Sequence, residues 1–144
     1  MSSSDTVYLL KECNSGTKMA VSSIDEVLDK VNDKQMKSIL EESKSHHEKL
    51  CDEIHSLLSE NHSEEKDPNP IAKGMSWVKT NVKLVMDNND KTIADLMIDG
   101  CNMGIKSLNK YLNQYQNADH VSKSICEKLI TIEEKLCRDL KVYL

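Results

Sequence analysis

Met19-Ala-Val-Ser-Ser-Ile-Asp-Glu-Val-Leu28 and Met103-Gly-Ile-Lys-Ser-Leu-Asn-Lys-Tyr-Leu112 are two stretches of this sequence that align without gaps. Shorter matches follow each of them at nearly the same spacing: Lys37-Ser-Ile39 with Lys123-Ser-Ile125, and Glu48-Lys-Leu-Cys51 with Glu134-Lys-Leu-Cys137. A repeat of this length is too long for one helix of a solenoid and predicts a helix-turn-helix hairpin that is used twice. Two such hairpins form a four-helix bundle with internal pseudo-twofold symmetry.

The length of 144 residues fits one domain that spans residues 1–144, and the repeated hairpins make it all-α. Phe is absent and aromatic residues make up 3% of the chain, so the core must consist of Leu, Ile, Val, Met and Cys. The net charge of −5 argues against nucleic-acid binding, which requires a basic surface. No apolar run approaches membrane-spanning length, and the first five residues do not resemble a signal peptide, so we expect a cytoplasmic protein without membrane insertion.

Five cysteines occur without a C-x-x-C pair, and their number is odd. This pattern is typical of reduced thiols in the cytosol and not of a disulfide framework or a zinc finger.

Apolar periodicity predicts four long helices, over about residues 6–31, 33–61, 90–115 and from 118 to the C-terminus. Asp33 is the expected N-cap of the second helix, and the stretch Asp87-Asn-Asn-Asp90 is expected to cap the third. The positions expected to face inward are Leu10, Cys13, Thr17, Ala20, Ile24, Val27 and Val31; Met36, Leu40, Ser43, His47, Leu50, Ile54 and Leu57; Ile93, Met97, Cys101, Gly104, Leu108, Tyr111 and Tyr115; and Cys126, Leu129, Glu133, Leu136, Leu140 and Tyr143.

The domain therefore divides into a hairpin at 6–61, a crossover at 62–88 and a second hairpin at 89–144. The crossover begins with a polar loop that holds both prolines and continues with a short predicted helix at 71–86, which carries an apolar stripe and Trp77. This helix is either a lid over the bundle or a docking surface for a second subunit. A long crossover lets the second hairpin start at the opposite end of the bundle, which is the connectivity of ferritin-like proteins.

With Trp77 in the crossover, Gly100 in the third helix and the tail Glu133-Glu-Lys-Leu-Cys-Arg-Asp-Leu-Lys141, the chain resembles the ferritin-like superfamily, and in layout an uncharacterised bacterial branch of it. The resemblance implies a ferritin-like four-helix bundle. Metal-loaded members of this superfamily place a Glu on each of two helices and an E-x-x-H pair on each of the other two.

The residues at those positions depart from that metal-binding pattern. Thr17 stands where the first helix would carry Glu, and Cys101 is its counterpart on the third helix. Ser43 replaces the Glu of E-x-x-H on the second helix, and Leu129 replaces it on the fourth. A dinuclear carboxylate site cannot be assembled from these residues, so we expect no ferroxidase activity.

Two inward positions carry an imidazole or a carboxyl group, and the repeat pairs them: His47 and Glu133. One interpretation is that His47, Glu133 and Cys101 hold a single metal ion or a small ligand. The interpretation we favour from the sequence is a buried hydrogen bond between His47 and Glu133 that fixes the pairing of the hairpins. In a third, both side chains tilt out at the helix flanks.

Other motifs have simpler explanations. Adjacent helical residues point about 100° apart, so His46 and His47 do not share one ion easily. Asp52-x-x-His55 is expected on a solvated face. The repeated Glu48-x-x-Cys51 and Glu134-x-x-Cys137 pairs could bind a soft metal, but boundary packing explains them better.

The sequence thus favours a non-enzymatic scaffold or protein-interaction module with a degenerate metal site, no cofactor, and a second copy or another protein as its partner. The alternative is a metal-binding or redox protein with one metal ion at His47, Glu133 and Cys101. A weaker alternative is a small-ligand carrier with its cavity beneath Trp77.

Overall fold

A computed structural model describes residues 4–61 and 89–144 of the chain. This part contains four long helices and no strand: α1 (Ser4–Leu28), α2 (Lys34–Glu60), α3 (Asp90–Gln114) and α4 (His120–Leu140), followed by a 3-10 turn at Lys141–Tyr143. The predicted all-α class with four long helices is confirmed for these residues. The predicted helix at 71–86, with Trp77, and both prolines lie outside them.

Three of the helices begin with a side chain that caps the first turn. The carboxylate of Asp33 accepts a hydrogen bond from the Met36 amide at 2.8 Å, as predicted. Asp119 accepts one from the Ser122 amide at 2.8 Å at the start of α4. At the start of α3 the cap is Asn89, which belongs to the stretch predicted to cap this helix and accepts a hydrogen bond from the Thr92 amide at 2.8 Å.

Hydrogen bonds between the hairpins fix the helix directions. Asp90 Oδ1 and Oδ2 accept from the amides of Asn32 and Asp33 at 2.8 and 2.9 Å, so α3 begins beside the α1–α2 turn. The Asp119 amide donates to the Thr6 hydroxyl at 2.8 Å, so α4 begins beside the start of α1. The four helices therefore run up, down, down and up.

This arrangement places the end of α2 and the beginning of α3 at opposite ends of the bundle, as the predicted crossover requires. The repeat alignment pairs Asp33 with Asp119 and Thr6 with Asp90, so two of the hydrogen bonds between the hairpins, Asp33 to Asp90 and Asp119 to Thr6, occur at aligned positions. Superposition of the two hairpins stays a prediction.

The helices pack within each hairpin, and α4 also packs on both α2 and α1. Gly16 lies where α1 approaches α4: a Cβ atom there would sit 3.6 Å from Leu129 Cδ2, an ordinary contact. Most predicted inward positions are buried. The exceptions are half-buried: Leu57, Gly104, Tyr111, Tyr115 and Tyr143. At the end of α2, Leu58 is buried instead of Leu57.

Helix α1 is shorter than expected, because it ends at Leu28 and Val31 is buried from the turn that follows. Within the described residues, no helix has the length and apolar character needed to cross a membrane.

Candidate functional site at the bundle centre

The described core consists of two separate apolar clusters. The upper cluster, near the α1–α2 turn, is formed by Ile24, Val27, Val31, Met36, Leu40, Ile93, Ala94, Met97, Ile98, Cys101, Leu136, Cys137 and Leu140. The lower cluster is formed by Leu9, Leu10, Cys13, Leu50, Ile54, Leu58, Leu108, Ala118, Ile125, Cys126, Leu129 and Ile130. The buried polar side chains between them form what we call the polar layer: Thr17, Ser43, His47 and Glu133.

His47 is fully buried on the inner face of α2. Its Nδ1 lies 2.8 Å from the Ser43 carbonyl oxygen, one turn earlier, so Nδ1 must carry the proton and donate it. This tautomer leaves Nε2 as a bare acceptor, and Nε2 has no hydrogen-bond partner. Burial lowers the pKa of His47 to about 4, against the opposing effect of the Ser43 bond, so the ring is neutral at pH 7.

Glu133 is 2% exposed on the inner face of α4. Its Oε2 atom also has no hydrogen-bond partner. Burial, followed by the proximity of Cys126, raises the pKa of Glu133 to about 8, so the carboxyl group is mostly protonated at pH 7. The side chain fits because Gly104 on α3 has no side chain: a Cβ atom there would overlap Oε1 and lie 3.1 Å from Cδ.

His47 and Glu133 are not hydrogen-bonded to each other, which corrects the interpretation favoured from the sequence. Nδ1 of His47 is bonded within its own helix, and Nε2 has no partner. The prediction that both residues are buried at the centre holds, and the alternative in which they tilt to the flanks does not. The error arose because the sequence does not show that a carbonyl one turn away accepts the hydrogen bond of the ring N–H.

The other residues named for the site are buried but locally engaged. The Thr17 hydroxyl donates to the Asn14 carbonyl in its own helix at 2.9 Å. Cys101 is fully buried, and its burial, with Glu133 and Cys137 nearby, raises the pKa of its thiol. Across residues 4–61 and 89–144, no three His, Cys, Asp or Glu side chains are grouped so that they could hold a metal ion. Metal binding by His47, Glu133 and Cys101 stays a prediction.

The cysteines of the two E-x-x-C motifs contact asparagine side chains. Cys51 donates to Asn14 Oδ1 at 3.7 Å, and Cys137 donates to Asn102 Oδ1 at 3.6 Å. Glu48 and Glu134 are exposed. Each thiol therefore packs at the edge of the bundle, as expected.

One contact between thiols was not anticipated. Cys13 on α1 and Cys126 on α4 lie together in the lower cluster as free thiols. The hydrogen bond to Cys126, followed by burial, raises the pKa of Cys13 well above its usual value. Both positions could be assigned to the interior from periodicity. Their contact depends on the approach of α1 to α4, for which the sequence carries no signal.

Comparison with known proteins found no matching family model, no similar curated protein and no similar solved structure.

Proposed function

We propose that the chain is a non-enzymatic, ferritin-like helical bundle that acts as a scaffold or protein-interaction module. The up-down-down-up order of the described helices supports the ferritin-like architecture. Five free thiols favour a reducing compartment, which makes the cytoplasm the expected location.

The observation that supports this proposal is the identity of the side chains at the centre of the bundle, where metal ligands would be expected. Thr17 uses its hydroxyl within α1, and Leu129 packs beside Gly16 where a carboxylate would bridge metals. The Ser43 carbonyl accepts a hydrogen bond from His47, and the Ser43 side chain is uncharged. These side chains suit a packed interior and not a dinuclear centre.

The test is the metal content and oxidation activity of protein purified aerobically without chelator. We expect iron well below one atom per chain and no faster oxidation of Fe²⁺ than in buffer. Stoichiometric iron together with rapid Fe²⁺ oxidation would contradict the proposal.

One observation favours a second candidate, a protein that binds a single metal ion at the polar layer. His47 Nε2 and Glu133 Oε2 are both buried without partners, and leaving such atoms unsatisfied costs about 1–3 kcal/mol each. Fixing the other ring nitrogen by a backbone carbonyl is also how metal-binding histidines are usually oriented.

Titration with Co²⁺ followed by its absorption spectrum separates the two candidates. The second candidate requires a saturable signal that His47→Ala with Glu133→Ala abolishes, and a sulfur charge-transfer band that Cys101→Ser removes. His55→Ala, on the exposed face of α2, is the matched control. A spectrum identical to free Co²⁺ leaves the scaffold proposal in place.

A further inference from the structure

Helices α1 and α4 run in parallel, and their contacts keep one register through the lower half of the bundle. The Asp119 amide donates to the Thr6 hydroxyl at 2.8 Å. Further along, a Cβ atom at Gly16 would sit 3.6 Å from Leu129 Cδ2. Each of these two pairs joins residues that are 113 positions apart in the sequence. Residues of α1 therefore lie level with the residues of α4 that follow them by this separation.

Cys13 and Cys126 belong to the same register, because they too are 113 positions apart. Cys13 lies seven residues after Thr6 and three before Gly16, and both spacings return to one face of a helix. Cys126 has the same spacings to the two α4 residues of these contacts. The two cysteines therefore lie on the faces through which α1 and α4 pack on each other.

The two thiols are enclosed in the lower cluster. Neither Cys13 nor Cys126 has any exposed surface. Cys13 is hydrogen-bonded to Cys126, and the Cys126 thiol donates to the Leu108 carbonyl at 3.7 Å. Sulfur atoms in such contact are already neighbours, so an S–S bond of about 2.05 Å requires side-chain rotation and a small adjustment of the helices, without a change of fold.

We propose that Cys13 and Cys126 form a redox site, at which hydrogen peroxide produces a disulfide that ties the first hairpin to the second. The thiolate of one cysteine attacks a peroxide oxygen, the O–O bond breaks, and a sulfenic acid and one water result. The sulfur of the other cysteine then forms the S–S bond, and the sulfenic oxygen leaves as a second water. Two thiols thus supply the two electrons that reduce one peroxide to two water molecules.

Burial determines when this reaction occurs. The thiolate is the reactive form of cysteine, and the hydrogen bond to Cys126, followed by burial, holds the pKa of Cys13 well above its usual value. Oxidation therefore waits for a transient opening of the lower cluster. The closed cluster then shields the disulfide from thiol reductants. The pair is a slow and persistent lock between the hairpins, and not a fast peroxide sensor.

The first test is peptide mapping of the folded, dilute wild-type protein after treatment with hydrogen peroxide. Low concentration prevents the half-buried Cys51 from linking two molecules. Remaining thiols are alkylated in urea, and trypsin then separates all five cysteines, with Cys13 in peptide 12–18 and Cys126 in peptide 124–128. We expect these two peptides to be linked and to separate with dithiothreitol. Their absence as a linked pair, or a disulfide between other cysteines in its place, overturns the proposal.

The second test is urea denaturation of the oxidised protein. A disulfide that closes so long a loop should raise the midpoint by on the order of 1–2 M, and dithiothreitol should reverse the shift. Cys13→Ala and Cys126→Ala should each abolish it. Cys101→Ala with Cys137→Ala, two buried cysteines of the upper cluster, is the matched control and should retain it.

Far-UV circular dichroism checks that each variant is folded, and the mapping of the wild type decides on the disulfide even where a variant does not fold. Linked peptides without an increase in the urea midpoint would overturn the lock between the hairpins. Neither measurement involves metal content or a partner, so the outcome is independent of the proposed scaffold function.

Discussion

The carboxyl group of Glu133 lies in the space that a side chain at Gly104 would fill. A Cβ atom at position 104 would overlap Oε1 of Glu133 and lie 3.1 Å from its Cδ atom. Glu133 is 2% exposed, so the carboxyl group has little room to move away. Gly104 on α3 is therefore part of what allows an acidic side chain to occupy the centre of the bundle.

Gly104→Ala should lower the free energy of unfolding by about 1 kcal/mol, although alanine is the better helix former by a similar amount. Gly16→Ala is the matched control, because its Cβ atom would make an ordinary contact 3.6 Å from Leu129, and we expect it to raise stability by about 0.5–1 kcal/mol. Urea denaturation measures both. Equal stabilisation by the two substitutions would show that Glu133 moves aside freely.

His47→Leu and Glu133→Leu should have additive effects, with a coupling energy below about 0.5 kcal/mol, since the two side chains are not bonded to each other. Each substitution removes a buried atom that lacks a partner, so each should be neutral or stabilising. A double-mutant cycle by urea denaturation measures the coupling. A coupling energy of about 1–3 kcal/mol would instead show that His47 and Glu133 are hydrogen-bonded to each other, as the sequence suggested.

Stability should be highest between about pH 4.5 and 6.5. The folded chain retains the Glu133 proton up to about pH 8, whereas the unfolded chain releases it near the ordinary value of 4.5, so stability falls as the pH rises between these values. The folded chain takes up the His47 proton only near pH 4, whereas the unfolded chain takes it up near 6.5, so stability falls as the pH drops through this range. The two effects offset each other where they overlap.

Between pH 6.5 and 8 only the Glu133 effect remains, and it should lower the free energy of unfolding by up to about 2 kcal/mol. Glu133→Gln should remove this decline. The exposed neighbour provides the control, because Glu134→Gln should leave the wild-type pH profile intact. Thermal or urea unfolding at several pH values gives the profile, and a decline of wild-type size in Glu133→Gln would rule out Glu133 as its source.

Asp90→Ala should lower the free energy of unfolding by about 1–2 kcal/mol, because it removes two hydrogen bonds from the amides of Asn32 and Asp33. Asp95→Ala, an exposed change on the same helix, is the control and should cost much less. Thr6→Val removes the corresponding bond at the other end of the bundle, so its effect should add to that of Asp90→Ala. A strongly non-additive double variant would mean that the two ends are coupled.

The features that could be predicted from the sequence are those that depend on neighbours along the chain. The burial of Leu40 and Ile54 follows from spacing on one helix, and the Asp33 cap follows from residue type at a helix start. The cap of α3 could be predicted only as the stretch 87–90, because Asn89 and Asp90 both suit a cap. A tertiary contact with the first hairpin decides between them.

The chemistry of the centre was less predictable, because it depends on which atoms meet across helices. The positions of His47 and Glu133 were predicted, but their protonation and partners depend on the Ser43 carbonyl and on the space at Gly104.

The burial of the cysteines gives this chain a set of internal reporters. The upper cluster contains Cys101 and Cys137, the lower cluster contains Cys13 and Cys126, and Cys51 alone is half-buried. An alkylating reagent should modify Cys51 first and reach the other four only when the surrounding cluster opens. Because each modification adds a fixed mass, a spectrum of partly alkylated protein would reveal whether the halves of the core open together or one at a time.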